Sequence, residues 1–350
     1  MQFLKSLHKK NFADEIVLLR VDLNVENAQD SWRRDAIIPT LKWLSAHNAR
    51  VLMLSHRGRP APINGADAAN IRHTDSLRVN VPYLSRLSGA PVHFISHFRF
   101  DEIRETLRGS CPGSMFLLEN IRLCAGEEKN DARFAKTLAS LGTMYVNDAF
   151  AVSHRKHASV VAIARHLPSY AGLLFERERA ALQNLMRRAR RPFVVIIGGV
   201  KVADKMGVLK YFLRKADMFL FGGGIANTIL KATGTDIGDS VYDKRFLPFG
   251  RALARNKKVE VLRDWLWDNN KILDIGPLTI EDFRMHIRHA KTVLWNGPLG
   301  QLEDVRYANG SIAIARTIAG SKAFSVVGGG ETTQLVRSLG VAHRISFLST

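Results

Sequence analysis

The chain has 350 residues, of which 46% are hydrophobic and 24% charged, and its 51 Lys and Arg against 32 Asp and Glu give a formal net charge of +19. This is the size of two ordinary domains and the composition of a soluble globular protein, with no apolar run long enough to span a bilayer. The start, MQFLKSLHKKNF, has no secretory apolar core, and Cys111 and Cys124 are too few for a disulfide framework or a metal spacing, so a cytoplasmic location is expected.

Short apolar runs alternate with amphipathic segments from end to end, which predicts an α/β fold with mainly parallel sheets. In the first half the strand candidates are Ile16–Val21, Arg50–Leu54, Val92–Ile95, Met115–Leu118 and Thr143–Val146. A break is expected near Leu167–Gly172, followed by a helix over Leu173–Ala189. In the second half the strand candidates are Phe193–Ile197, Met218–Phe221, Lys271–Leu273, Thr292–Trp295 and Ala323–Val327, with a late strand at Arg344–Phe347. Ile280–Ala290 and Ile312–Ala319 read as helices between them. Two doubly wound domains are expected, residues 1–170 and 171–350.

The two halves punctuate their strand ends differently. In the first, the runs finish on polar and basic residues: Asp22 and Asn24, then His56, Arg57 and Arg59, then Arg122, then His154, Arg155 and His157. Ligands of open α/β sheets sit at the carboxyl ends of the strands, so four such clusters predict one anion pocket. Arginine suits it because its planar fork meets phosphate and carboxylate oxygens in pairs. In the second half the runs finish on glycine, at Gly198–Gly199, Gly222–Gly224 and Gly328–Gly330, with Gly297 and Gly300 in WNGPLG. Bare backbone of this kind can approach a nucleotide closely, and Lys201 and Lys205 follow the first pair on the next helix. Neither a Walker motif nor a Rossmann fingerprint is present. The basic stretch Met186–Arg191 (MRRARR) suits a helix C-terminus, and no zinc-finger pattern, RNP-like strand or basic tail points to nucleic acid. One domain thus looks made for a nucleotide phosphate chain and the other for a small anion, an arrangement suited to phosphoryl transfer across a hinge.

Ten motifs, in order, resemble those of the phosphoglycerate kinases: RVDLNV, RRDAIIPT, LSHRGRP, LLENIR, NDAFAVSHRKHAS, IGGVKVADK, GGGIANT, LDIGP, WNGPLG and GGGET. The resemblance covers nearly the whole chain. It implies two α/β domains around a cleft, a monomer, and reversible phosphoryl transfer between ATP and 3-phosphoglycerate with magnesium. On the phosphoglycerate side it implies Asp22, Asn24, Arg33, His56, Arg59, Arg122 and Arg155, with Arg33 catalytic and six residues before Pro39. On the nucleotide side it implies Gly198, Lys201, Lys205, Gly222, Gly223, Gly224, Asn296, Pro298, Glu303 and Gly328, Gly329, Gly330, Glu331 and Thr332. Lys205 would neutralise the transferring phosphoryl group, Glu303 would meet the ribose, and Glu331 would meet the metal.

The chain differs from the family pattern at several points. GGET stands where GGDT is usual, and Ala151–Ser153 stands for Gly-Thr-Ala. RVDLNV runs into Glu26 rather than proline, Asp239–Lys271 is shorter, and the sequence stops at Thr350 where relatives continue into a glycine run and a helix. The leading expectation is a divergent, shortened phosphoglycerate kinase of the glycolytic type. The alternatives are a weakly active or inactive binding or regulatory relative, and a basic nucleic-acid-binding protein on the same scaffold.

Overall fold

The computed structural model describes residues 2–24, 31–63, 65 and 72–349; Glu26 and Thr350 lie outside them. The chain divides into two compact units, Met1–Ala180 and Ala181–Thr350. The helix Leu173–Arg188 carries the chain from the first to the second.

The first unit holds β1 (Gln2–Phe3), β2 (Ile16–Arg20), β3 (Arg50–Leu54), β4 (Val92–Ile95), β5 (Met115–Leu118), β6 (Met144–Asn147) and β7 (Ser169–Ala171), in the order β1-β7-β6-β2-β3-β5-β4. Every pairing in this sheet is parallel. Its central strands β2, β3 and β5 are mostly apolar, as in a parallel sheet buried on both faces. Val17, Leu19, Val51 and Met53 pack into one buried cluster. Their neighbours Leu18, Leu52 and Leu54 pack into another, as the alternation of a strand requires. Of the two arginines in these strands, Arg50 opens β3 partly exposed, whereas Arg20 at the end of β2 is buried, 1% exposed. The stretch expected as a break, Leu167–Gly172, contains β7, which pairs with β6 and β1.

The second unit holds β8 (Phe193–Ile197), β9 (Met218–Phe221), β10 (Val259–Glu260), β11 (Trp265–Asp268), β12 (Lys271–Ile275), β13 (Thr292–Asn296), β14 (Phe324–Gly328) and β15 (Phe347–Leu348). A parallel sheet runs β10-β9-β8-β13-β14-β15, so the order reverses between β8 and β13. The run at Lys271 is longer than expected and lies outside this sheet, paired antiparallel with β11. Asn269 and Asn270 explain it: both take left-handed backbone, with φ of 47° and 58°, as a tight hairpin turn demands. The late strand begins at Phe347 rather than Arg344, because Ala342–Arg344 forms a 3-10 turn.

Candidate active site

In the first unit, the polar residues after β2, β3, β5 and β6 gather around His56, which is 2% exposed. Arg20 donates through Nη2 to His56 Nδ1 at 3.1 Å and through Nε to Ser159 Oγ at 3.0 Å. Arg155 Nη1 faces His56 Nε2 at 3.5 Å. Burial, and then the charges of Arg20, Arg122, Arg155 and His157, hold the His56 pKa far below the ordinary imidazole range. The ring is therefore neutral and adds no charge to the arginines around it.

Asp22 ties the next shell together. Its Oδ1 accepts from the Asn24 amide at 3.1 Å and its Oδ2 from Arg33 Nη1 at 3.4 Å. Arg33 Nη1 also donates to the Asn24 carbonyl at 3.2 Å, while its Nε is buried with no hydrogen-bond partner. Asn24 Oδ1 accepts from the Gly58 amide at 2.8 Å, and Arg122 donates to the Gly58 carbonyl. Arg122 is 6% exposed, and burial, despite the facing Glu128 carboxylate, pushes its pKa down. Its Nε lies 3.0 Å from Glu128 Oε1 without making a hydrogen bond. Arg59 is exposed. An orphaned guanidinium N–H and several guanidinium groups within reach of one neutral ring form a receptor for a polyvalent anion.

In the second unit, β8 and β13 are neighbours at the point where the strand order reverses, the position at which such sheets bind ligands. The loops leaving them are locked together by backbone. Gly199 N donates to Pro298 O at 2.7 Å, Gly224 N to Gly199 O at 3.0 Å, and Gly223 N to Leu299 O at 3.1 Å. A Cβ at Gly198 would lie 1.9 Å from Pro298 O, and one at Gly223 would lie 2.7 Å from Gly199 O. The absence of a side chain at Gly198 and Gly223 lets these loops pack directly on one another. Gly330, at the start of the helix Gly330–Ser338, has open space instead. Thr332 is fully buried, and its Oγ1 accepts from Gly297 N at 3.1 Å.

Lys205, on the helix Val202–Phe212, bonds through Nζ to Asn296 Oδ1. Burial lowers its pKa, while the charges of Asp204 and Glu331 pull the other way. Lys201 sits at the N-cap of the same helix and is exposed. A pocket of about 340 Å³ brings together Gly223, Gly224, Pro298, Glu303 and Glu331 with an apolar wall of Leu262, Ile272 and Leu302. Asn296, Gly328 and Gly329 border a different hollow of about 420 Å³, beside Tyr211 and Val326.

The sequence model of the family described as phosphoglycerate kinase matches residues 7–262 and 250–350. The chain belongs to that family. It is 39% identical to the phosphoglycerate kinase of Thermomicrobium roseum over 95% of its own length and 91% of the relative's. It is 38% identical to that of Rhodospirillum centenum over 99% and 94%. The solved phosphoglycerate kinase of Pyrococcus horikoshii OT3 superposes with a TM-score of 0.84 at 28% identity, covering 100% of this chain and 93% of that one. That of Coxiella burnetii gives 0.79 at 29% identity, covering 97% and 92%. Relatives and structural neighbours alike favour the kinase over the binding-only alternative.

Two buried residues of this phosphoglycerate kinase family member escape a reading of its motifs. Arg20 opens RVDLNV but lies inside a strand, where a charged residue signals a buried role only once its burial is known. Asp274, in LDIGP, is 2% exposed and accepts from Ile275 N at 2.8 Å and Gly310 N at 2.7 Å. It lines the 340 Å³ pocket, and burial raises its pKa to about 6. A Cβ at Gly300 or Gly310 would strike its carboxylate, so those glycines make its slot.

Proposed function

We propose that the first unit binds 3-phosphoglycerate and the second binds the nucleotide, and that the residues described above carry out the transfer. The chain is a phosphoglycerate kinase, a phosphotransferase whose acceptor is a carboxyl group. The observation that carries the site assignment is the cationic edge around neutral His56, with the Arg33 Nε left unpaired. Arg59, Arg122 and Arg155 hold the phosphate of 3-phosphoglycerate, and Asp22, Asn24 and His56 orient the rest of the molecule. Arg33 bridges the acceptor carboxylate and the arriving phosphoryl group.

In the second unit the adenosine lies against the apolar wall of the pocket, with Glu303 at the ribose. The Gly222–Gly224 loop, Gly198, Asn296 and Pro298 shape the path of the phosphates, and Lys201 and the Gly328–Thr332 turn supply charge and amides. Among the described residues no group of three His, Cys, Asp or Glu could hold a metal alone. Glu331, exposed and lining the pocket, offers one carboxylate, which fits magnesium that arrives on nucleotide phosphates. That ion supplies charge neutralisation when bound.

In the transfer, a carboxylate oxygen of 3-phosphoglycerate bonds to the γ-phosphorus as the bond to the β–γ bridging oxygen breaks, leaving ADP. No proton moves. Lys205 and Arg33 neutralise the phosphoryl oxygens in flight, so the protein's work is positioning and electrostatics. A cytoplasmic monomer is the form we assign to this activity. The test is a coupled assay with magnesium, ATP and 3-phosphoglycerate on the purified chain; no turnover above that of a Lys205→Ala control would overturn the assignment.

A further inference from the structure

Another hollow of the second unit lies away from the site described above. It measures about 830 Å³ and is lined by six cationic side chains: Arg190, Arg284, Arg288, Lys291, Arg316 and Lys322. Its floor is where strands begin. Lys291 immediately precedes β13, and Phe324, which also lines it, opens β14. The glycine loops leave the other ends of those strands, and five residues at about 3.3 Å each put about 17 Å between the two edges of the sheet.

Most of this charge is left uncompensated. Arg284 and Arg288 share a single carboxylate, Glu281, at 3.4 and 3.3 Å. Arg190, Lys291, Arg316 and Lys322 have no ion pair among the described residues, and all four are exposed. A helix C-terminus favours cations within its last turn. Arg190, Lys291 and Lys322 each follow a helix end by two residues, outside that turn. Six like charges around one concavity repel one another, and an anion with several charges relieves that repulsion.

The lining also says what kind of anion. The volume far exceeds one phosphate, and the cations are spread over three separate chain segments, so the ligand must carry charge along its length. No Trp or Tyr lines the hollow, and its one aromatic residue, Phe324, is half-buried, so there is no platform on which nucleobases could stack. We propose that this hollow is a second ligand site of the protein, for a base-free linear chain of phosphates: inorganic polyphosphate.

The test is binding of labelled short-chain polyphosphate to the full chain, followed by anisotropy across a salt series. Replacing Arg190, Lys291 and Lys322 together by Ala removes cations that take no part in the proposed transfer. With a slope of about −0.7 per neutralised phosphate, the triple variant is expected to lower the salt slope by about 2 and weaken binding at least ~10-fold at low salt. Turnover without polyphosphate should be unchanged. The control triple Lys129→Ala, Arg133→Ala and Lys136→Ala removes the same charge from exposed positions in the first unit and should bind as the parent does. Equal weakening in both triples, no binding at all, or displacement by saturating ATP would overturn the proposal. An oligonucleotide of equal charge that binds as tightly through the same three cations would reassign the site to nucleic acid.

Discussion

Lys205 and Asn296, brought from the helix after β8 and the end of β13, are joined side chain to side chain, and the Glu331 carboxylate is close enough to act on the same lysine. An ammonium already held by a neutral amide can turn to a phosphoryl group at small cost, because the amide oxygen remains beside it as a partner of the bound ion or water. Lys205→Ala is therefore expected to lower kcat by about 10²–10³, as loss of one preorganised donor does, with ATP affinity changed only a few-fold. Titration calorimetry with ATP beside steady-state kinetics separates the two effects. Equal losses would make Lys205 a binding residue only.

Arg59 and Arg122 differ in burial, and this splits their consequences. Arg59→Ala removes an exposed side chain and should raise the KM for 3-phosphoglycerate by the about 1.5–3 kcal/mol of a charged hydrogen bond, leaving Tm unchanged. Arg122→Ala should raise the same KM and also lower Tm, since it deprives the Gly58 carbonyl of its donor. A KM for 3-phosphoglycerate unmoved in both variants would remove the first unit from substrate binding.

Glu331 stands in the first turn of its helix with its side chain exposed, so nothing in the fold forces its reach. Magnesium holds near-ideal octahedral distances of about 2.0–2.1 Å, and one methylene displaces a carboxylate by more than such a bond can stretch. Glu331→Asp is expected to alter the magnesium concentration needed for half-maximal turnover, with calorimetric ATP affinity in the absence of metal unchanged. An identical magnesium titration in parent and variant would remove Glu331 from the metal.

Asp148 is fully buried, and burial raises its pKa to about 6 despite hydrogen bonds from Thr40 and the Phe175 amide. The folded state therefore holds a proton that the unfolded chain, with an ordinary carboxyl, has released above about pH 4. Stability contributed by this group is complete below that pH and is lost as pH rises through about 6. Asp148→Asn mimics the protonated form. Relative to its standing at pH 4, the variant should gain on the parent by on the order of 2 kcal/mol at pH 7.5 in urea unfolding. A parent–variant difference that does not move with pH would mean that Asp148 is ionised in the folded protein.

Which parts could be read from sequence follows from what each signal depends on. β3, β4, β5, β8 and β9 appear with the bounds expected; all but β4, which carries the exposed His93, are largely buried parallel strands read as apolar runs cut off by glycine or polar residues. The hairpin of β11 and β12 was hidden by its turn, where two asparagines do what glycine usually announces. β1, β7 and β10 span two or three residues each and leave no periodicity to detect. At the sites, residue types at strand ends pointed to the cationic edge. The neutrality of His56 and the slot around Asp274 depend on burial and on neighbours distant in sequence, which no local pattern carries.

The interlocked loops restrict how this protein can be re-engineered. Gly198, Gly223 and Gly224 each lack room for a methyl group because another loop's backbone occupies it, so a change at any one displaces its partners as well. Variants at these positions should mostly fail as a group, leaving little scope for gradual adjustment there. Leu262, Ile272 and Leu302 face the pocket as separate side chains from separate segments and can be exchanged one at a time. On the nucleotide assignment proposed above, a library seeking altered purine preference belongs on that wall, with the glycines held constant.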